Sequence, residues 1–203
     1  MALTDHNAVF IGSTDDGHTF VLVNRKIPAA HQTLVRAGFT TREHHGRTVY
    51  YLAPDTSEDA VERALTAAYS LMAHTMDLVD LAWTTRARAS GQQPVPALSF
   101  CFNNGTVTAT ATTGPARAVL KQHRFTRTTG DTYAPPAGLG ERDLVATVVR
   151  AETHGYADGL DVRVDLGIPT LAAIPAASRT RRPAAPSGPA RPPLAPASGT
   201  PRR

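Results

Sequence analysis

Cysteine is almost absent: Cys101 is the one thiol in 203 residues. A single cysteine excludes an internal disulfide framework of the kind that staples small oxidised domains. No window approaches the ~20 apolar residues a helix needs to span a bilayer. The opening Met1-Ala2-Leu3-Thr4-Asp5-His6 has no basic segment followed by an apolar run, so it does not read as a secretory signal. These absences predict a cytoplasmic protein with no membrane contact. Lysine is scarce too, at 2 against 19 arginines, a bias that matches a GC-rich genome.

Local signatures of chemistry are missing as well. The chain has no nucleophile elbow, Walker loop, dinucleotide fingerprint or zinc ribbon. No catalytic residue, no cofactor and no metal site is therefore assigned. An enzyme stays open only as a convergence of distant residues. A winged helix, a zinc finger and an RNP-like aromatic motif are also lacking, which removes the usual base-reading elements.

Charge is present, but unevenly. The net charge is +4. Residues 179–203 carry Arg179, Arg181, Arg182, Arg191, Arg202 and Arg203 and no acid. The 15 remaining basic residues face 17 acids in residues 1–178, so the body is about −2 and the tail +6. From about Pro169 the chain turns to Pro, Ala, Ser, Gly and Arg with no apolar period. Such a stretch buries too little surface to offset its ordering entropy, and residues 169–203 are expected to be a disordered tail. Its six arginines are the candidate contacts for nucleic acid.

Upstream of the tail the chain repeats itself. Leu34-Val35-Arg36-Ala37-Gly38-Phe39-Thr40 is echoed by Leu120-Lys121-Gln122-His123-Arg124-Phe125-Thr126. Each is followed by a Gly turn, a Tyr-bearing strand and a proline. Earlier still, Asp16-Gly17 and Asn104-Gly105 sit between β-rich runs, the signature of two-residue hairpin turns. The expectation is α+β: a tandem duplication of a ββαβα(β) unit packed as one pseudo-symmetric body. Its boundaries are 7–83 for the first copy, 84–96 for a linker, 97–168 for the second copy and 169–203 for the tail.

Several residues invite functional readings with simpler competitors. Arg42-Glu43-His44-His45 could bind metal or move protons, but it lacks spaced partners and reads first as an exposed hairpin tip. Cys101, between Phe100 and Phe102, reads as an inert core thiol. Asp55, Glu58, Asp59 and Glu62 crowd the start of a helix, where its dipole favours acids. Asp55, or else Thr56 or Ser57, would cap that helix. Pro28 suits the first turn of a helix over 28–37 with Gly38 as its stop, and Gly155 reads as the stop of a helix over 140–154.

The run Leu34-x-x-x-Gly38-Phe39, then Tyr51-Leu52-x-Pro54 and an alanine-rich helix, resembles small repeat domains in uncharacterised proteins of GC-rich actinobacteria. The second copy departs from the pattern at Arg124 and Ala134. The resemblance implies a fold and an origin, and no activity. Taken together, these features predict a non-enzymatic cytoplasmic binding protein, an adaptor or regulator. Its expected partners are an unidentified protein and, weakly and non-specifically, nucleic acid through the tail. The alternative is a small enzyme with a site in the cleft between the copies, marked by His44 or His45 beside a carboxylate.

Overall fold

Among the described residues, fifteen helices and strands follow one another in two matching series. In the computed structural model, which describes residues 3–54, 57–85, 95–103 and 105–177, the first half opens with a 3-10 turn at Leu3–Asp5. It continues β1 (Val9–Ser13), β2 (Thr19–Val23), α1 (Ala30–Arg36), β3 (Thr40–His44), β4 (Arg47–Leu52), α2 (Ser57–Met72) and β5 (Leu78–Asp80), with a short α3 (Ala82–Thr85). The second half runs β6 (Leu98–Asn103), β7 (Thr106–Ala111), α4 (Gly114–Gln122), β8 (Thr126–Arg127), β9 (Thr132–Ala134), α5 (Glu141–Ala157) and β10 (Val162–Asp165).

The fold is α+β with two five-stranded sheets. Their strand orders are β3-β4-β2-β1-β5 and β8-β9-β7-β6-β10, so corresponding strands hold corresponding places. β5 pairs parallel to β1, and β10 parallel to β6; all other pairings are antiparallel. Each element begins 84 to 89 residues after its counterpart. The expected unit is corrected from ββαβα(β) to ββαββαβ, because two strands follow the first helix in each half. In the second half one of them, β8, is only two residues long, too short to stand out by pattern.

The repeated stretches are helix ends, and this explains their spelling. After α1, Gly38 takes φ 87°. Its N–H bonds to the Val35 carbonyl and the N–H of Phe39 to the Leu34 carbonyl, each at 3.0 Å. This is a Schellman motif, in which a left-handed residue turns the chain and the apolar residue after it packs near the one that opened the last turn. After α4, Arg124 takes φ 63°, with Arg124 N–H on Lys121 at 3.0 Å and Phe125 N–H on Leu120 at 2.9 Å. Leu34, Phe39, Leu120 and Phe125 are all buried. α5 closes the same way at Gly159, not at Gly155. Gly155 lies inside the helix, where a Cβ would come within 3.1 Å of both Leu98 and Val162; it is there for close helix–sheet packing. α1 starts two residues after Pro28, beyond Ala29 at φ 61°.

The hairpin turns differ from one another. Asn103 pairs with Thr106 and Gly105 takes φ 78°; Asn104 lies outside the described residues. His45-Gly46 is a two-residue turn, with positive φ at both positions as a type I′ turn needs. Asp16-Gly17 is not: Ser13 pairs with Thr19, leaving a five-residue loop. That loop is open because Asp15 and Asp16 turn their N–H groups away, to the carbonyls of Ile168 and Pro169 at 3.0 and 3.1 Å.

β1 and β2 of the first sheet are buried on both faces, whereas its edge strand β3 is exposed. Val9, Ile11, Val21 and Tyr50 face α1 and α2, packing with Leu34, Phe39, Ala64 and Leu71. Phe10, Phe20, Leu22, Val49 and Val79 face the other way and belong to one core with the second sheet, α4 and α5. Leu166, Ile168, Leu171 and Ile174 complete that core. The expected tail therefore starts too early. Residues 169–177 include a 3-10 turn at Leu171–Ala173, and Ile174 is 1 % exposed. Two apolar residues three apart on a tight turn share one side, a signal too short to register among prolines and alanines. The linker also starts late, since Thr84 and Thr85 are buried within α3; residues 86–94 lie outside the described residues.

Candidate functional site

The residues singled out by pattern do not converge. Arg179, Arg181, Arg182, Arg191, Arg202 and Arg203 lie outside the described residues, as do Asp55 and Thr56. His44 is half-buried: its Nε2 meets the Ile174 carbonyl at 3.0 Å, and its ring stands 4.1 Å from that of His45. So His44 fastens the end of the second half to the β3–β4 hairpin, while His45 occupies the exposed turn. Among the described residues no group of three or more His, Cys, Asp or Glu is arranged to hold a metal ion.

Cys101 is exposed, not in the core. The two-residue period of β6 buries Phe100 and Phe102 and turns Cys101 outward. Partial desolvation, with help from the carboxylates of Asp165 and Asp15, pushes its thiol up from the ordinary range. That environment works against a thiolate nucleophile.

A basic groove of about 490 Å³ opens where β2 leaves the sheet. Its walls are Asn24, Arg25, Lys26 and Ile27 after β2, the start of α1, the Gly46–Thr48 turn and Tyr50 of β4, with Asp5 and Ala177 at the border. Arg47 forms its floor. Its guanidinium is 8 % exposed, pairs with Asp5 at 2.9 Å, and donates to the Pro175 carbonyl at 3.2 Å and to Asn24 Oδ1. Asn24 in turn donates to the carbonyls of Thr4 and Asn7. This network joins four separate segments and holds the groove's shape.

Arg25, Lys26, His31 and Tyr50 complete the lining. Arg25 is 62 % exposed and pairs with Asp77 at 3.2 Å. Lys26 is exposed and makes no ion pair among the described residues. Tyr50 OH and His31 Nδ1 are 3.3 Å apart, with their rings tilted against each other. Burial, and next the charge of Glu43, push the Tyr50 phenol above its usual range, so it keeps its proton and can donate. The lining carries three cations, Arg25, Lys26 and Arg47, against one carboxylate, Asp5, which suits an anionic group. Sequence reading missed the site because its residues are common surface types from five places in the chain.

A second electrostatic feature lies between the halves. Asp80 ends β5, and burial pushes its carboxyl up, offset in part by the N–H of Ala82 at 2.9 Å. Glu152 of α5 is raised chiefly by burial, against hydrogen bonds from Thr153 and Thr84, with the charge of Asp80 adding to the rise. Two carboxyls facing one interior each resist ionising while the other is charged.

No protein-family model, no curated protein and no solved structure matches the chain. Among the described residues no helix is long and apolar enough to cross a membrane.

Proposed function

We propose that the protein is a non-enzymatic binding protein, an adaptor or regulator working in the cytoplasm, whose body takes a small anionic group in the basic groove. One observation carries this: Lys26, without an ion-pair partner among the described residues, stands beside Arg25 over a groove that also presents the Tyr50 hydroxyl. A phosphate or carboxylate there meets two cations and a neutral donor, and charge-assisted hydrogen bonds are the stronger kind. Arg47 is committed to Asp5 and shapes the site without having to leave its partner.

The matching strand orders and the paired Schellman ends of α1 and α4 support descent of both halves from one duplicated unit, of the kind found in the actinobacterial repeat domains that the sequence resembles. Losing two-sided symmetry would then have freed one half to carry the groove. The arginine tail is proposed to add weak, sequence-independent contact with nucleic acid.

Thermal shift and calorimetric titration with phosphate, pyrophosphate and citrate test the groove. Saturable stabilisation is expected, weakened about tenfold by Lys26→Ala, with no effect of Lys121→Ala on the second half. Equal binding by Lys26→Ala and the native chain would remove the groove from the function. Fluorescence anisotropy across a salt series, comparing full-length chain with residues 1–178, tests the tail separately. Six arginines limit the slope of log K against log salt to about 4–5 in magnitude.

A further inference from the structure

We propose that His123 and His154 form a two-imidazole site for a late first-row divalent cation, Cu2+ ahead of Zn2+, that pins the end of α4 to the last turn of α5. His123 Nε2 and His154 Nδ1 lie 3.2 Å apart. Zinc–nitrogen bonds are about 2.0–2.1 Å, so two nitrogens on one tetrahedral ion stand about 3.3 Å apart. The pair, joined by a hydrogen bond, holds that spacing from residues 31 apart in sequence, so a cation can take the place of the shared proton.

Three surrounding features fit a cation. His154 Nε2 faces Asp158 Oδ2 at 3.5 Å. A carboxylate on the remote nitrogen holds that N–H and leaves Nδ1 as the lone pair, the arrangement that orients metal-binding histidines. His123 is the C-cap of α4, and His154 lies in the last turn of α5, so both helices direct their negative ends at the site. Both side chains are half-buried, which leaves water access to fill the remaining positions. Arg150 is the opposing charge beside the pair.

Two protein ligands are fewer than the three or four of a permanent zinc site. The ion is thus exchangeable, and imidazole with the general stability order places Cu2+ above Zn2+. His44 and His45, whose ring centroids lie 4.1 Å apart, are the control pair.

The test uses full-length protein purified without a histidine tag. Zn2+ is titrated by calorimetry, and Cu2+ by electron paramagnetic resonance. One ion per chain is expected, with coupling to two nitrogens. His123→Ala and His154→Ala should each weaken binding at least tenfold, and Asp158→Asn about tenfold. His44→Ala with His45→Ala should change it less than twofold. His123→Gln, which keeps a polar partner for His154, serves if the alanine variant does not fold; circular dichroism decides which is used. Absence of saturable one-to-one binding overturns the site. So does binding that survives His123→Gln, or that disappears with His44 and His45.

Discussion

The two sheets share one strand order and differ in what covers them. In the first, β1 is buried at every residue and β2 at all but its last. In the second, β6 and β7 alternate, with Phe100 and Phe102 inside and Cys101 and Thr108 outside. The spelling follows the cover. Val9-Phe10-Ile11 and Phe20-Val21-Leu22-Val23 are continuous apolar runs, as strands buried on both faces require, whereas Leu98-Ser99-Phe100-Cys101-Phe102 and Val107-Thr108-Ala109-Thr110-Ala111 alternate, as a one-sided sheet allows. The same topology thus serves as an interior layer in one half and an outer wall in the other. The first half depends on the second for its far face.

That dependence can be broken most severely at the C-terminal side of β10. A chain ending at Asp165 loses Leu166, Ile168, Leu171 and Ile174 from the shared core. Each buried side chain of this size is worth about 1.5–3 kcal/mol, and four of them match the ~5–15 kcal/mol by which a domain is stable. We expect this chain not to fold, while one ending at Ala177 does, as judged by circular dichroism and urea titration. Cooperative unfolding of the shorter chain would show that the segment is decoration.

The paired anchors sharpen the comparison. Phe39 is 3 % and Phe125 5 % exposed. Each Phe→Ala change should cost about 3–5 kcal/mol. If both halves unfold as one unit, either substitution lowers a single urea midpoint. Two separated transitions would mean that the shared core does not couple them.

The carboxyls between the halves give a pH signature. The folded protein raises both Asp80 and Glu152, so the folded state binds protons more tightly than the unfolded one. Their contribution to stability is complete below the ordinary carboxyl range, about pH 4, and is lost as pH rises through the raised folded values. Glu152→Gln mimics the protonated group. It should raise the melting temperature at pH 8 and change it little at pH 4; a fall at pH 8 would show that the ionised carboxylate is the stabilising form.

The smallest effect compares the two helix ends. Gly38 and Arg124 occupy the same left-handed position, at φ 87° and 63°. Left-handed backbone costs a residue with a Cβ about 1–2 kcal/mol. Gly38→Ala should therefore destabilise by roughly that amount. Arg124→Gly should stabilise by at most about 1 kcal/mol, because glycine also loses more freedom on folding. Chemical denaturation of both variants resolves the opposite signs.

Much of this architecture is legible where local chemistry dictates it. The His45-Gly46 turn, the Leu-to-Phe helix ends and the alternation of Leu160-Asp161-Val162-Arg163-Val164 all act within a few residues. What escapes is set by distance. Asp16-Gly17 spells a tight turn, yet its loop is opened by carbonyls 150 residues away in the chain. Cys101 sits between two core phenylalanines in sequence and opposite to them in space. Ile174 looks like part of a tail, yet it is buried in the core that also holds Phe10 and Phe20. The groove escaped for the same reason, since nothing near Lys26 in sequence announces Tyr50 or Arg47. The arginine tail remains a matter of composition.

The hold of the first half on residues 168–175 has a consequence for synthesis. The hairpin loop, His44 and Arg47 together grip four backbone carbonyls of that segment. A ribosome works from the N-terminus, at ~5–20 residues per second. Roughly 90 residues separate Thr85 from Ile174, so the strands of the first half are synthesised about 5–20 seconds before the segment that completes their core. Through that interval Phe10, Phe20, Leu22 and Val49 present apolar surface on an unfinished chain. That surface is where a chaperone has something to hold, and where crowded copies of the unfinished protein would stick to one another.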